Sequence, residues 1–236
     1  RRQPRRTLIP MRSPLRRVVL SLLLLIPLMV SCSPSPQASP TPSCADANVP
    51  CLQGTTQVQV STNRGEITIE VDGDAAPITA GNFVDLVRRG TYDGTMFHRV
   101  VREPVPFVVQ GGDPKSKDRS VPLNQLGTGS FVDPETGQSR MIPLEIGFRG
   151  EDNPRYSREI TNPSQLDSLS LNHERGSVAM ARSQAPDSAS AQFYIALKPL
   201  PELDGRYAVF GKVIKGMDVV DEIRQGDRIT KASLGD

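Results

Sequence analysis

The stretch Phe97–Asp113, FHRVVREPVPFVVQGGD, sets the reading of the chain. Two short apolar runs, Phe97–Val101 and Phe107–Gln110, flank a proline-punctuated loop at Arg102–Pro106. Short runs rich in β-branched and aromatic residues suit strands, and proline belongs at edges and loops. The runs carry one cation, Arg99, one amide, Gln110, and one large aromatic, Phe107. Arg99 is expected to be buried or half-buried, a costly placement unless something pairs with it or uses it. Gly111-Gly112-Asp113 lets the backbone turn sharply. Cation, amide, aromatic wall and tight turn together predict the floor of a binding groove. By strand alternation His98 faces away from Arg99 and is read as structural.

Outward from this floor the chain reads as scaffold. Gln57–Asp72 alternates apolar and polar residues on both sides of Asn63-Arg64-Gly65, which predicts a hairpin. Ile78–Arg89 has a helical apolar stripe, with Pro77 before it and Gly90 after it as start and stop signals. Residues 115–165 form a long polar insertion, with a strand expected inside it at Met141–Phe148. Gly176–Ala181, Gln192–Leu197 and Tyr207–Ile214 predict further strands, and Gly216–Gln225 a second helix. Many short strands, two amphipathic helices and no βαβ alternation predict a mainly β fold, a closed antiparallel β-barrel capped by helices. His173 is read as a packing or loop-fixing residue, and Asp113 as turn chemistry.

The first fifty or so residues do not read as folded domain, which leaves one domain of about 180 residues, ample for a core. The chain has 236 residues and a net charge of +2, so no nucleic-acid partner is implied. All 3 cysteines, Cys32, Cys44 and Cys51, precede the domain, which excludes a cysteine nucleophile or a Cys-rich zinc site within it. With only 2 histidines, no metal site is expected. No cofactor is expected either: Gly127-Thr128-Gly129 lacks the strand-to-helix setting of a nucleotide loop.

Residues 1–31 read as a signal peptide: a basic segment, then the apolar run Val18–Val30, too short to span a bilayer. Met11 is expected as its start. The run ends in Leu28-Met29-Val30-Ser31-Cys32, which resembles a bacterial lipobox with Met29 in place of the usual leucine. That resemblance implies lipidation at Cys32 and a protein anchored to a membrane by its lipid, facing the periplasm or another extracytoplasmic space. The alternative is an ordinary cleaved signal. Residues 32–55 are Ser/Pro-rich and read as a tether. If Cys32 takes a lipid, Cys44 and Cys51 remain as a pair whose short separation and exported setting suit a disulfide; two free thiols are the alternative.

The motifs FHRVV, FVVQGGD, GSVAMARSQAPDSASAQFYIAL and LDGRYAVFGKVIKGMDVVDEI stand in one order across residues 56–230, with 231–236 left as a tail. They resemble the cyclophilin family of peptidyl-prolyl cis-trans isomerases, and the leader and insertion are similar to exported bacterial, cyanobacterial members. The resemblance implies an eight-stranded antiparallel barrel with two capping helices and isomerase action on X-Pro bonds of exported proteins. It implies proline-containing polypeptides as partners of a monomer. Arg99 matches the family's catalytic arginine and Gln110 its groove glutamine. Phe107 matches the wall of the proline pocket, Leu203 its apolar leucine, and Gln192 a second groove glutamine. Ala181 and Arg182 match the pair that holds the substrate backbone, where asparagine often stands in place of Arg182.

Several positions depart from the family. Val108 replaces a common methionine, Tyr194 a phenylalanine and Tyr207 a frequent histidine. Glu202 stands where some members carry the tryptophan associated with cyclosporin binding. Three extra residues separate Arg99 from Phe107. Each site residue also has a structural alternative: Arg99 in an ion pair, Phe107 and Leu203 in the core, Gln110 and Gln192 as ordinary strand residues. A proline-peptide binding or assembly module without turnover is the rival function.

Overall fold

The computed structural model describes Cys44 and residues 49–235. The leader 1–31, Cys32 and most of the 32–55 tether lie outside the described residues. The fold starts from the expected hairpin, β1 (Thr55–Thr62) and β2 (Gly65–Asp72). Val58 faces Ile69 and Val60 faces Ile67 across it, all with relative exposures of 2% or less. The other ladder strands are β3 (Arg99–Val100), β4 (Val108–Gly111), β7 (Ser177–Met180), β8 (Phe193–Ala196), β9 (Val209–Lys215) and β10 (Ile229–Leu234). With β1 and β2 they form one 8-stranded antiparallel sheet in the order β10-β1-β2-β9-β7-β8-β4-β3.

The sheet is curled, and its ladder ends at β3 and β10. The strand-to-strand closure expected of a barrel is not a ladder here, because β3 is only 2 residues long. Between the two ends lie backbone hydrogen bonds from Phe97 N to Asp227 O (2.8 Å), Gly226 N to Phe97 O (3.0 Å) and Ile229 N to Thr95 O (2.9 Å). The tail expected at 231–236 is instead mostly β10, because Ala232 turns inward and pairs with Val60 on β1.

Helix α1 (Pro77–Arg88) lays Phe83 among Tyr92, Phe193 and Phe210, with ring centroids 4.9–5.4 Å apart. Its N-terminus has no side-chain cap of its own. The capping group comes from far along the chain: the carboxylate of Glu145 accepts from Ile78 N (3.1 Å) and Thr79 N (2.7 Å). A negative charge on the orphan N–H groups of a helix start is favourable, although burial still pushes the Glu145 carboxyl up. Helix α3 (Met217–Glu222) is shorter than the expected Gly216–Gln225. Asp227 turns the chain out of the helix by accepting from Arg224 N at 2.7 Å. Arg102 donates to the carbonyls of Val220 (2.8 Å) and Ile223 (3.0 Å) at the end of the helix.

The insertion carries small elements of its own. Met141–Phe148 is not one strand; only Glu145–Ile146 (β5) pairs, with Arg155–Tyr156 (β6). A further helical turn, α2 (Pro163–Leu166), makes three α-helices among the described residues in place of the expected two. Leu144, Ile146, Phe148, Ile160 and Leu169 bury themselves against Ala208 as a satellite cluster. Cys44 and Cys51 are joined in a disulfide, their Cα atoms 5.7 Å apart. The segment that follows lies on the domain, with Leu52 N donating to Pro77 O at 3.0 Å.

Candidate functional site

Strand register assembles the first part of the site. Arg99 pairs with Gln110, Gln110 with Tyr194, and Tyr194 with Ala179. Directly opposed residues share a sheet face, so Arg99, Gln110 and Tyr194 stand in one row. Val108, two residues from Gln110 on β4, and Gln192, two residues from Tyr194 and just before β8, share that face. Val109, Phe193 and Ile195 point the other way, into the core.

Three amide or guanidinium donors run along this row. Arg99 Nη1 donates to Gln110 Oε1 (3.4 Å), Gln110 Nε2 to Gln192 Oε1 (3.3 Å), and Gln192 Nε2 to Gly129 O (2.8 Å). The direction is set at the far end. A backbone carbonyl only accepts, so Gln192 must present its NH2 there and its oxygen to Gln110. Gln110 then turns its own oxygen toward the guanidinium. The loop that supplies Gly129 O is held by Asp113, whose Oδ2 accepts from Gly127 N (2.6 Å) and Gly129 N (3.2 Å). A Cβ at Gly129 would fall 1.9 Å from Asp113 Oδ1, so the close approach requires glycine.

Arg99 is exposed, not buried as expected. Its two-residue strand lies at the end of the ladder, with a strand on one side only. Among the described residues no carboxylate lies within ion-pair distance of its guanidinium, so the ion-pair alternative has no partner there. The guanidinium sits 5.8 Å from the Phe107 ring centroid, within cation–π range. A cavity of about 260 Å³ is lined by Arg99, Phe107, Val108, Gln110, Ala181, Arg182, Tyr194, Leu203 and Tyr207. The structure thus brings together nine of the expected site residues. The tenth, Gln192, lines an adjoining groove of about 400 Å³ that shares Gln110, Ala181 and Arg182 with the first.

The far wall is built from loops. Leu203 ends a 3-10 turn (Pro201–Leu203), and Tyr207 packs edge-on to Tyr194 at 5.9 Å. Behind them lies a chain that the sequence reading did not foresee in full. His173 Nε2 and the Tyr194 hydroxyl are 2.8 Å apart, and His173 Nδ1 and Asp204 Oδ1 are 2.7 Å apart. His173 is buried, and its role exceeds packing: it anchors both a cavity wall residue and the turn between Leu203 and Tyr207. Tyrosine at 194, where the family has phenylalanine, was the available signal. Burial, then Tyr207, holds the Tyr194 phenol well above its ordinary range. His98 is outside the lining of this cavity and lies beside Gly127 of the adjoining groove, and burial pushes its pKa down.

Arg182 does not present its guanidinium to the cavity as a free group. It donates to the carbonyls of Arg206 and Ser183 (both 2.9 Å) and pairs with Glu159 of the insertion. Among the described residues no group of three or more His, Cys, Asp or Glu side chains is arranged to hold a metal ion.

Comparison with known proteins follows this geometry. Residues 57–234 match the family model described as cyclophilin type peptidyl-prolyl cis-trans isomerase/CLD. A Synechocystis protein described as a thylakoid lumen peptidyl-prolyl cis-trans isomerase is 39% identical over 198 residues, covering 80% of this chain and 49% of its own. The chain therefore spans about half the length of that relative. A Brucella abortus peptidyl-prolyl cis-trans isomerase is 34% identical over 183 residues, covering 72% of this chain and 78% of its own. A Cryptosporidium parvum cyclophilin solved in the presence of the dipeptide Ala-Pro shares the fold, with a TM-score of 0.56 and 24% identity over 76% of this chain and 99% of that one.

Proposed function

The chain belongs to the cyclophilin-type peptidyl-prolyl cis-trans isomerase family, and from that premise we propose that it catalyses rotation about X-Pro bonds in exported proteins. The observation that carries this reading is an arginine that has no carboxylate partner among the described residues and stands at the rim of a cavity walled in part by Phe107, Val108 and Leu203. Rotation about a peptide bond faces a barrier of ~18–20 kcal/mol from C–N double-bond character. X-Pro isomers are nearly balanced, so the difficulty is kinetic. No proton or group needs transfer. In the twisted state the prolyl nitrogen becomes pyramidal and gains a lone pair, and a guanidinium donor beside it stabilises that state selectively. Arg99 stays charged and offers a rigid fork. One arm is steadied by Gln110, and the remaining donors are free for substrate. Phe107, Val108, Leu203, Tyr194 and Tyr207 clamp the ring, so that the residue before proline rotates. Gln192 and Ala181 border the path of the preceding peptide segment.

The backbone bonds linking residues 95–97 to 226–229 support reading the curled sheet as a functionally closed barrel. Export is supported by the basic and apolar leader, the Ser/Pro tether and the Cys44–Cys51 disulfide, a bond suited to oxidising compartments. Lipidation of Cys32 would hold the domain at a membrane surface as a monomer, with proline-containing polypeptides as its substrates. A protease-coupled cis-to-trans assay on an Ala-Pro peptide tests the activity. Acceleration well above the uncatalysed rate is expected. Peptide binding with no acceleration would make this a proline-peptide binding module.

A further inference from the structure

Arg182 occupies an unusual place on this face. It lines three neighbouring spaces: the proline cavity, the adjoining groove and a third space of about 530 Å³ between Glu159 and Arg206. A side chain placed there would be expected to meet substrate, yet its donors are committed. Nε donates to Arg206 O (2.9 Å), and Nη1 to Ser183 O (2.9 Å) and Gln184 O (3.1 Å). Nη2 donates to the Glu159 carboxylate. The Tyr207 ring lies 4.9 Å away, and the Arg182 side chain is 5% exposed. These bonds tie the 183–184 loop, the turn at 206 and the insertion to one planar group.

From this we infer that Arg182 is a positioning residue for the peptide groove, and that the insertion, through Glu159, fixes it there. Glu159 does not approach on a loose loop. Its neighbour Ile160 donates from N to Gly205 O at 2.9 Å and packs into the satellite cluster beside Ala208. Gly205 has φ +71°, and a Cβ there would fall 2.4 Å from Ile160 O, so insertion and turn meet flush. The carboxylate is delivered by a packed segment, and the entropic cost that weakens most surface pairs is already met. A charged donor bound to a carboxylate is among the stronger hydrogen bonds. Without Glu159 a mostly buried guanidinium loses its counter-ion, and the three walls lose their common reference. The insertion is thereby a working part of the groove. The kinetic side of this inference rests on the isomerase reading; the binding side does not.

The test uses the full chain with Glu159→Gln, Arg182→Met and both together. The equilibrium Kd of an Ala-Pro peptide is measured by titration, and kcat and KM by the coupled assay. Each single change is expected to raise Kd and KM at least fivefold, with the loss in KM and not in kcat. The double change is expected to be no worse than Arg182→Met alone, because both act on one link. An unchanged Kd in the milder Glu159→Gln variant, or losses that multiply in the double, would overturn the inference. So would a fall in kcat that tracks loss of thermal stability, the mark of a merely structural role. If the parent shows no turnover while Kd responds as described, the isomerase reading fails and the positioning role stands.

Discussion

The two walls of the candidate cavity are built by different means. The wall carrying Arg99, Gln110 and Tyr194 is a matter of register: three opposed residues on β3, β4 and β8 share a face because antiparallel pairing leaves them no choice. The wall carrying Arg182, Leu203 and Tyr207 has no such rule. It is held by Glu159 and Ile160 on one side and by His173 through Asp204 on the other. A sheet wall is stiff at the cost of short strands. A loop wall needs long-range ties, and each tie is a point at which groove shape can be tuned without touching the reacting bond.

That difference orders the expected effects of substitution. Arg99→Ala acts on the sheet wall and is expected to lower kcat/KM about 10²–10³-fold, the scale for losing one donor to a developing charge. Peptide Kd should change less than threefold, and the coupled assay beside a binding titration separates the two. His173→Ala acts on the loop wall. It strands the buried Tyr194 hydroxyl, while Asp204 Oδ1 keeps the bond from the backbone N of residue 173 (2.8 Å), with an expected loss of about 1–3 kcal/mol. Denaturant unfolding reads that loss, and kcat/KM should fall with it. Glu145→Ala lies outside both walls. It uncaps α1 at an expected cost of about 1–2 kcal/mol, within the range for caps, with kcat/KM within twofold in the same two measurements.

The smallest effect concerns pH. Burial lowers the pKa of His98 in the folded chain, so the folded state binds fewer protons than the unfolded one at this site. Its contribution to stability is present above the ordinary histidine value of about 6.5 and is lost as pH falls through the folded value. Thermal midpoints between pH 7.5 and 5 should therefore decline, and His98→Gln should flatten part of that decline.

The same contrast decides what the sequence could tell. The hairpin at 55–72, helix α1 and the strand sites at Arg99, Gln110 and Tyr194 follow local rules of alternation and capping. Those rules act within a few residues, so they can be read along the chain. Arg99 is exposed where burial or half-burial is expected, because alternation gives the face of a residue, not whether that face is covered. The loop wall was legible only as individual residues. Arg182 was read as a substrate contact because nothing local reveals that Glu159, 23 residues away, occupies its guanidinium. Glu145 capping a helix 66 residues upstream, and Ile160 seated on Gly205, are likewise tertiary facts. The 231–236 segment reads as a tail because only Ala232 and Leu234 turn inward, too few apolar positions to signal a strand.

In the proposed function Arg99, which has no carboxylate partner among the described residues, drives rotation about the X-Pro bond in a cavity that binds proline without it. Exchange spectroscopy on an Ala-Pro peptide at equilibrium, with substoichiometric protein, measures that rotation directly. The parent chain is expected to speed cis–trans exchange strongly, and Arg99→Ala to leave it near the uncatalysed rate while peptide resonances still shift on binding. Equal acceleration by parent and variant would contradict the assignment of Arg99.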